Sequence, residues 1–254
     1  IEYFKKALSL KPDYDLPVIN MANAYRQMGN DEAAMAGYRH YLTIDPTNAH
    51  VYYQIGEIFL DRGDRAQAGQ NFRKAIEINP KEASAHNAVG VLAFEAGDRA
   101  TAEREVRTAL EIKKTVRLAH YNLALFAEER GDLQTAEAEY KKELEQSPNA
   151  VRAAFNLAQL YEKRGDRQSQ IATLKQAVEV SPKFAEGKLF LAKAYLDAGI
   201  NFPDAIGLAR ESLSLKLRPN LQPLAHFVLA DLYNRVGQPH DAAREVALGR
   251  AGTR

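Results

Sequence analysis

The sequence predicts an all-α fold, and three observations carry that prediction. Glycines stand at 29, 63, 97, 131, 165 and 199, each 34 residues after the last, and Gly237 follows after 38. Prolines at 12, 46 and 80 keep the same interval at an offset of 17, Pro148 and Pro182 stay in phase, and Lys114 stands where one proline is missing. The composition is that of helices: 15 Gly and 10 Pro in 254 residues, with alanine, leucine, glutamate, lysine and arginine plentiful and no β-branched alternation. A period of this length marks an array of supersecondary units, each too small to bury its own apolar stripe.

Each period reads as helix, turn, helix. Val151 to Lys163 shows the rule: apolar residues at 154, 155, 157, 158, 160 and 161 have helical spacing. Gly165 then ends the helix, and Asp166 stands where an N-cap belongs. Ile171, Leu174, Ala177 and Val178 mark the second stripe, which Ser181-Pro182 closes. In chain order the units are 15–48, 49–82, 83–116, 117–150, 151–184, 185–222 and 223–249, with a tail at 250–254. Residues 1–14 read as the second helix of a truncated unit, with Phe4 and Ala7 on its stripe, and residues 200–204 and 217–223 lengthen the sixth unit. The half unit at the start implies further repeats or another domain in a larger protein. The tripeptide Arg-Gly-Asp occurs at 62–64, 130–132 and 164–166, yet the same slot reads Met-Gly-Asn at 28–30 and Ala-Gly-Asp at 96–98. A constant glycine among changing neighbours is a turn requirement rather than an adhesion motif.

The unit resembles the tetratricopeptide repeat. Small residues fall at its eighth position (Ala22, Gly56, Gly90, Ala124, Ala158, Ala192, Ala230) and aromatics at its eleventh (Tyr25, Phe59, Tyr161, Tyr195, Tyr233). Units three and four depart, with Ala93 and Ala127 at the eleventh. Alanine recurs at position 20 (Ala34, Ala68, Ala102, Ala136) and an aromatic at position 24 (Tyr38, Phe72, Tyr140). The resemblance implies a single right-handed α-solenoid over 1–254, of about 7.5 repeats, with the first helices lining its concave side.

Composition excludes several functions. With 34 basic and 33 acidic residues and a net charge of +1, no overall field draws nucleic acid. There is no cysteine, and no apolar run approaches the ~18 residues of a membrane span. No phosphate loop, HExxH or GxSxG stretch is present, so the expectation is a chain without catalytic, cofactor or metal site. His86, His120 and His226 share the fourth repeat position, which reads as packing. Localisation cannot be read from these residues.

The concave face that the resemblance implies carries the candidate site. Amides recur at its sixth position (Asn20, Gln54, Asn122, Asn156), with Asn87 one place earlier and Asn23 and Gln159 beside them. They resemble the asparagine ladders of the O-linked N-acetylglucosamine transferase and kinesin light chain superhelices. An amide that donates and accepts can pair with the backbone of an extended peptide, or bridge neighbouring helices. Tyr53 and Tyr121, at the fifth position, flank the ladder. The acids of this face (Glu57, Asp61, Glu95, Glu128, Glu129, Glu162, Glu186, Asp197, Asp231) outnumber its bases (Arg26, Arg152, Lys163, Lys193, Arg235). That balance favours a neutral or basic peptide over a phosphate backbone. The carboxylate clamp of some tetratricopeptide co-chaperones is missing its basic members, since those places hold Ile19, Asn23, Gln54, Ser84 and Ala88. The expected function is a non-catalytic scaffold binding an extended peptide. The alternatives are a spacer that self-associates through the half-repeat around Phe4 and Leu8, or the recruiting appendage of a larger enzyme.

Overall fold

A computed structural model describes residues 1–3, 6 and 15–252. The half-repeat helix expected around Phe4, Ala7 and Leu8, and the last two residues of the tail, lie outside the described residues. From residue 15 onward the chain forms fourteen α-helices and, among the described residues, no strand. They are α1 (Asp15–Gln27), α2 (Asp31–Ile44), α3 (Ala49–Asp61), α4 (Arg65–Ile78), α5 (Ala83–Glu95), α6 (Arg99–Ile112) and α7 (Ala119–Glu129). Then come α8 (Leu133–Gln146), α9 (Val151–Arg164), α10 (Arg167–Val180), α11 (Ala185–Ala198), α12 (Phe202–Ser214), a 3-10 turn (Pro219–Leu221), α13 (Gln222–Arg235) and α14 (Pro239–Ala251). The fold is an all-α solenoid of helix pairs.

The turn inside each pair is written by two residues. Gly29, Gly63, Gly97, Gly131, Gly165, Gly199 and Gly237 all take positive φ, between 69° and 87°, a conformation that costs a residue with a Cβ about 1 kcal/mol. The polar residue after five of them caps the second helix. Asn30, Asp64, Asp98, Asp132 and Asp166 accept hydrogen bonds from the backbone N–H groups of Ala33, Gln67, Thr101, Thr135 and Ser169. The three Arg-Gly-Asp stretches are three of these turns.

Those caps make the helices acid-sensitive. The Asp98 carboxylate lies below the ordinary aspartate range, held there first by the Thr101 backbone N–H. For Asp132 and Asp166 the leading cause is the hydrogen bond of the Thr135 or Ser169 side chain, followed by that residue's backbone N–H. A depressed carboxylate stabilises the fold above its unfolded pKa, and that contribution is lost as pH falls through the folded value. The melting temperature is therefore expected to fall between about pH 5 and pH 2.5. Replacing the three aspartates by asparagine, an equally good cap, should flatten that fall. A profile unchanged in the triple variant would remove the caps as its cause.

The described chain forms two compact units, residues 1–126 and 127–254. In the first, α1 packs on α2, α3 on α4 and α5 on α6, and each pair packs on the next. Val18, Ala22, Ala34, Tyr38, Val51 and Ile58 fill its first pairs; Ala68, Phe72 and Ala88 continue the core, and Ala102, Val106, Leu123 and Phe126 close it. In the second, the helices from α8 to α14 stack in chain order, with α11 also meeting α13. Ala158, Leu174, Leu189, Tyr195, Leu229 and Tyr233 belong to one continuous core there.

Helix α7 departs from its neighbours. It begins at Ala119, two residues into its repeat, and Leu118 before it takes φ 63°. The chain around Lys114, where the proline is missing, therefore enters the helix late, and Arg117 keeps its carbonyl oxygen outside it.

Candidate functional site

The first helices of unit 1 bring a strip of polar side chains together. On α3, Tyr53 sits among Ala49, Ala75 and Ala85, with its ring 5.7 Å from that of Phe72 and 5.8 Å from that of His50. One turn on, Glu57 interacts with the Tyr53 hydroxyl. Burial pushes the Tyr53 hydroxyl up, and the charge of Glu57 adds to that. Burial also raises Glu57 above the ordinary glutamate range, and its interaction with Tyr53 only partly opposes the rise. Arg117, at the late entry to α7, acts electrostatically on both groups. Its carbonyl oxygen accepts from the Asn87 amide of α5 at 3.5 Å. Asn87 in turn accepts from Asn122 of α7 at 3.0 Å. At the other end, Arg26 of α1 binds Asp31 at 2.7 Å and also pairs with Asp61, one turn beyond Glu57.

Three of the amides expected to face a ligand thus make hydrogen bonds between helices here: Asn87 and Asn122 with each other, and Asn23 with Tyr38, whose hydroxyl donates at 2.7 Å. Burial drives that hydroxyl up to about 12. Gln54 pairs with His50 along α3 at 3.0 Å. Asn20 is exposed on α1, and Tyr121 is half-buried on α7. The Asn87–Asn122 link uses one donor of Asn122 and one acceptor of Asn87, whereas a primary amide offers two donors and an oxygen with two lone pairs. The pair therefore retains hydrogen-bonding capacity.

Asn156 and Gln159 belong to unit 2. Asn156 donates to the Tyr140 hydroxyl at 3.2 Å, and Tyr140 donates to Glu128 at 3.0 Å. Gln159 is half-exposed on α9. Ion pairs link neighbouring repeats of this unit: Lys163 with Glu128, Lys193 with Glu162, and Arg218, between α12 and the 3-10 turn, with Glu186; Lys193 also pairs with Asp197 along α11. Three of the acids counted on this face, Glu128, Glu162 and Glu186, are thus paired with bases 31 to 35 residues away. Phe155, Phe184 and Phe190 meet edge to face at 5.0 to 5.6 Å.

Sequence reasoning missed Arg117, whose charge acts on Tyr53 and Glu57 from two repeats away. It also gave no partners for the histidines. His86 lies 2.8 Å from Glu105 and 3.1 Å from the Pro80 carbonyl oxygen, and His226 lies 2.7 Å from Glu245. In both repeats the ring ties a first helix to its second. Among the described residues, no three His, Cys, Asp or Glu side chains converge to hold a metal ion. No helix there is long and apolar enough to cross a membrane.

Comparison with known proteins agrees with this geometry. Family models described as TPR repeat or tetratricopeptide repeat match residues 22–63, 49–82, 92–151 and 121–183, together more than half of the chain. No curated protein matches the chain. Among solved structures, the chain is similar to the Cut9–Hcn1 hetero-tetramer of the APC/C, with a TM-score of 0.72 at 19% identity over 90% of this chain and 45% of that one. It is similar to pilF of Pseudomonas aeruginosa, with a TM-score of 0.69 at 19% identity over 80% of this chain and 91% of that one. YrrB, described as a TPR protein with an unusual peptide-binding site, aligns with a TM-score of 0.51 at 22% identity over 72% of this chain and 95% of that one. Identities this low speak for the fold alone. The period, the turn glycines, the packed helix pairs and the matched repeats place this chain in the tetratricopeptide repeat family, whose repeats form protein-interaction scaffolds.

Proposed function

We propose that unit 1 binds an extended, basic segment of a partner protein along its first helices, as a non-catalytic scaffold. The observation that carries this reading is Glu57. It is an acid pushed toward its neutral form by burial, with Asp61 adding repulsion and only Tyr53, Arg117 and Arg26 favouring its charge. A lysine or arginine from a ligand would supply the missing counter-charge, and the Asn87–Asn122 pair has hydrogen bonds left for a peptide backbone. The description of YrrB as a peptide-binding TPR protein supports the class of partner.

Fluorescence anisotropy with a labelled lysine–serine decapeptide and its glutamate–serine counterpart tests this. The basic peptide is expected to bind the tighter of the two. Glu57→Gln keeps the shape and removes the charge, so it should weaken the basic peptide about tenfold. Affinity should also climb with pH above the ordinary glutamate range, because a raised carboxylate ionises late. Glu57→Gln should abolish that climb. Equal affinity for both peptides, or a Glu57→Gln variant that binds as tightly as the parent, would refute the reading.

A further inference from the structure

Each second helix and the first helix that follows it enclose a slot. The residues that line it recur at fixed repeat positions: 21 and 25 of the second helix, and 11 of the next first helix. Between α2 and α3 these are Met35, Arg39 and Phe59; Met35 is buried and Phe59 packs on the same core. Between α10 and α11 they are Ile171, Lys175 and Tyr195, with Tyr195 buried. Between α8 and α9 they are Glu137, Lys141 and Tyr161. There the buried Tyr161 ring donates its hydroxyl to Glu137 at 3.0 Å, Lys141 lies 6.0 Å from the ring centroid, and Lys141 binds Glu137 at 2.7 Å.

Between α4 and α5 the same three positions hold Gly69, Arg73 and Ala93. The ring is missing, and so is the side chain opposite it. A cleft of about 510 Å3 lies here, as clefts also lie at the α8–α9 and α10–α11 slots, but this one is walled by the apolar side chains of Ala66, Val89, Leu92 and Ala93, and its volume falls within the ~300–1,000 Å3 range of small-ligand sites. At its mouth Arg65 is paired with Glu95 at 2.6 Å. Asp98 lies at the far end and caps α6 through Thr101. Arg73 crosses the face of Gly69, is exposed, and has no ion-pair or hydrogen-bond partner among the described residues.

We propose that this cleft is a docking site for an aromatic side chain followed by a carboxylate in a partner protein. The α8–α9 slot supplies the template from within the same chain. The partner's ring would take the place of Tyr161 against Ala93, Val89 and Leu92, under Arg73 as Tyr161 lies beside Lys141. The partner's acid would take the place of Glu137 and pair with Arg73. Gly69 keeps the opposite wall open. A Cβ there would meet nothing closer than 3.4 Å, so glycine leaves room without being required by packing. The site does not include Glu57: it lies between α4 and α5, shares only α5 with the polar strip, and prefers the opposite charge.

The test uses the full chain and three acetylated, amidated pentapeptides in an amide NMR titration: Ser-Tyr-Glu-Glu-Ser, the same with alanine for tyrosine, and the same with lysines for the glutamates. The first should give saturable shifts at the backbone amides of Gly69, Ala93 and Ala96, and the other two should bind at least about tenfold more weakly. Ala93→Tyr should fill the slot from within, abolish those shifts and raise the melting temperature. Arg73→Gln should weaken the acidic peptide about tenfold and leave the melting temperature unchanged. Equal binding of all three peptides overturns the proposal. So do shifts centred on Tyr53 and Glu57, or a response that survives Arg73→Gln.

Discussion

Replacing Gly90 by leucine is expected to abolish the cooperative melting of the helices around α5 and α6, and even Gly90→Ala should cost about 1 kcal/mol. The expectation runs against helix propensity, which favours alanine in a helix interior by about 0.8–1.0 kcal/mol. Packing reverses the sign. A Cβ on Gly90 would stand 2.6 Å from Val106 Cγ2, 2.9 Å from the Ala102 carbonyl oxygen and 3.3 Å from the Val106 amide nitrogen. Two of those atoms belong to the α6 backbone and cannot swing aside, so the helix pair must separate. Overpacking of a close-packed site costs about 1–3 kcal/mol for small additions, and leucine adds three further carbons. Five other repeats tolerate alanine at this position, and the first shows how. There Ala22 faces Gly37, and a Cβ on Gly37 would meet the Ala22 Cβ at 2.8 Å. In that interface the space for one methyl is granted on one side only. Thermal melting followed by circular dichroism measures the effect, with each kcal/mol worth about 2–4 °C at this size. Val106→Ala should not rescue Gly90→Ala, because the Ala102 carbonyl oxygen stays in place. A full rescue would show that the side chain, and not the backbone, sets the limit.

Two buried tyrosines should respond to the same substitution with opposite signs. Tyr140 is fully buried; its hydroxyl donates to Glu128 and accepts from Asn156, joining α7, α8 and α9 at one oxygen. Tyr140→Phe deprives both partners of that oxygen and is expected to destabilise by about 2 kcal/mol. Tyr233 is also buried, at 1% exposure, but its hydroxyl has no hydrogen-bond partner among the described residues. An unsatisfied buried hydroxyl costs roughly 1–3 kcal/mol, so Tyr233→Phe should be neutral or stabilising by up to about 1 kcal/mol. The ring, with the Arg210 guanidinium 5.4 Å from its centroid, is retained in both cases of that exchange. Urea unfolding of the two variants beside the parent reads the difference. Destabilisation by Tyr233→Phe equal to that of Tyr140→Phe would mean that the Tyr233 hydroxyl has a partner in solution.

The repeat was legible because its signals are local. A glycine that must take positive φ and an aspartate that must cap a helix three residues ahead depend on neighbours within one turn, so a period of 34 residues in the sequence becomes the same period in the structure. The aromatics at positions 11 and 24 were legible for the same reason, since helical spacing alone decides which face they occupy.

The tertiary structure supplied the partners of the polar residues. Asn23, Asn87, Asn122 and Asn156 read equally well as ligand contacts or as bridges, because an amide's partner lies 15 to 35 residues away and helical periodicity carries no information about it. Only the packed repeats show each of them bonded across a helix interface. The late start of α7, with Leu118 at φ 63°, and the influence of Arg117 on Glu57 likewise depend on how one repeat hands over to the next. The absence of an aromatic at Ala93 was visible in the sequence, but its meaning was not. The sequence by itself determined the helix pairs and their turns, since backbone geometry is a local matter. Which amides are bonded and which charges are paired were decided by contacts between repeats, where side-chain volume and charge from distant stretches of chain are first compared.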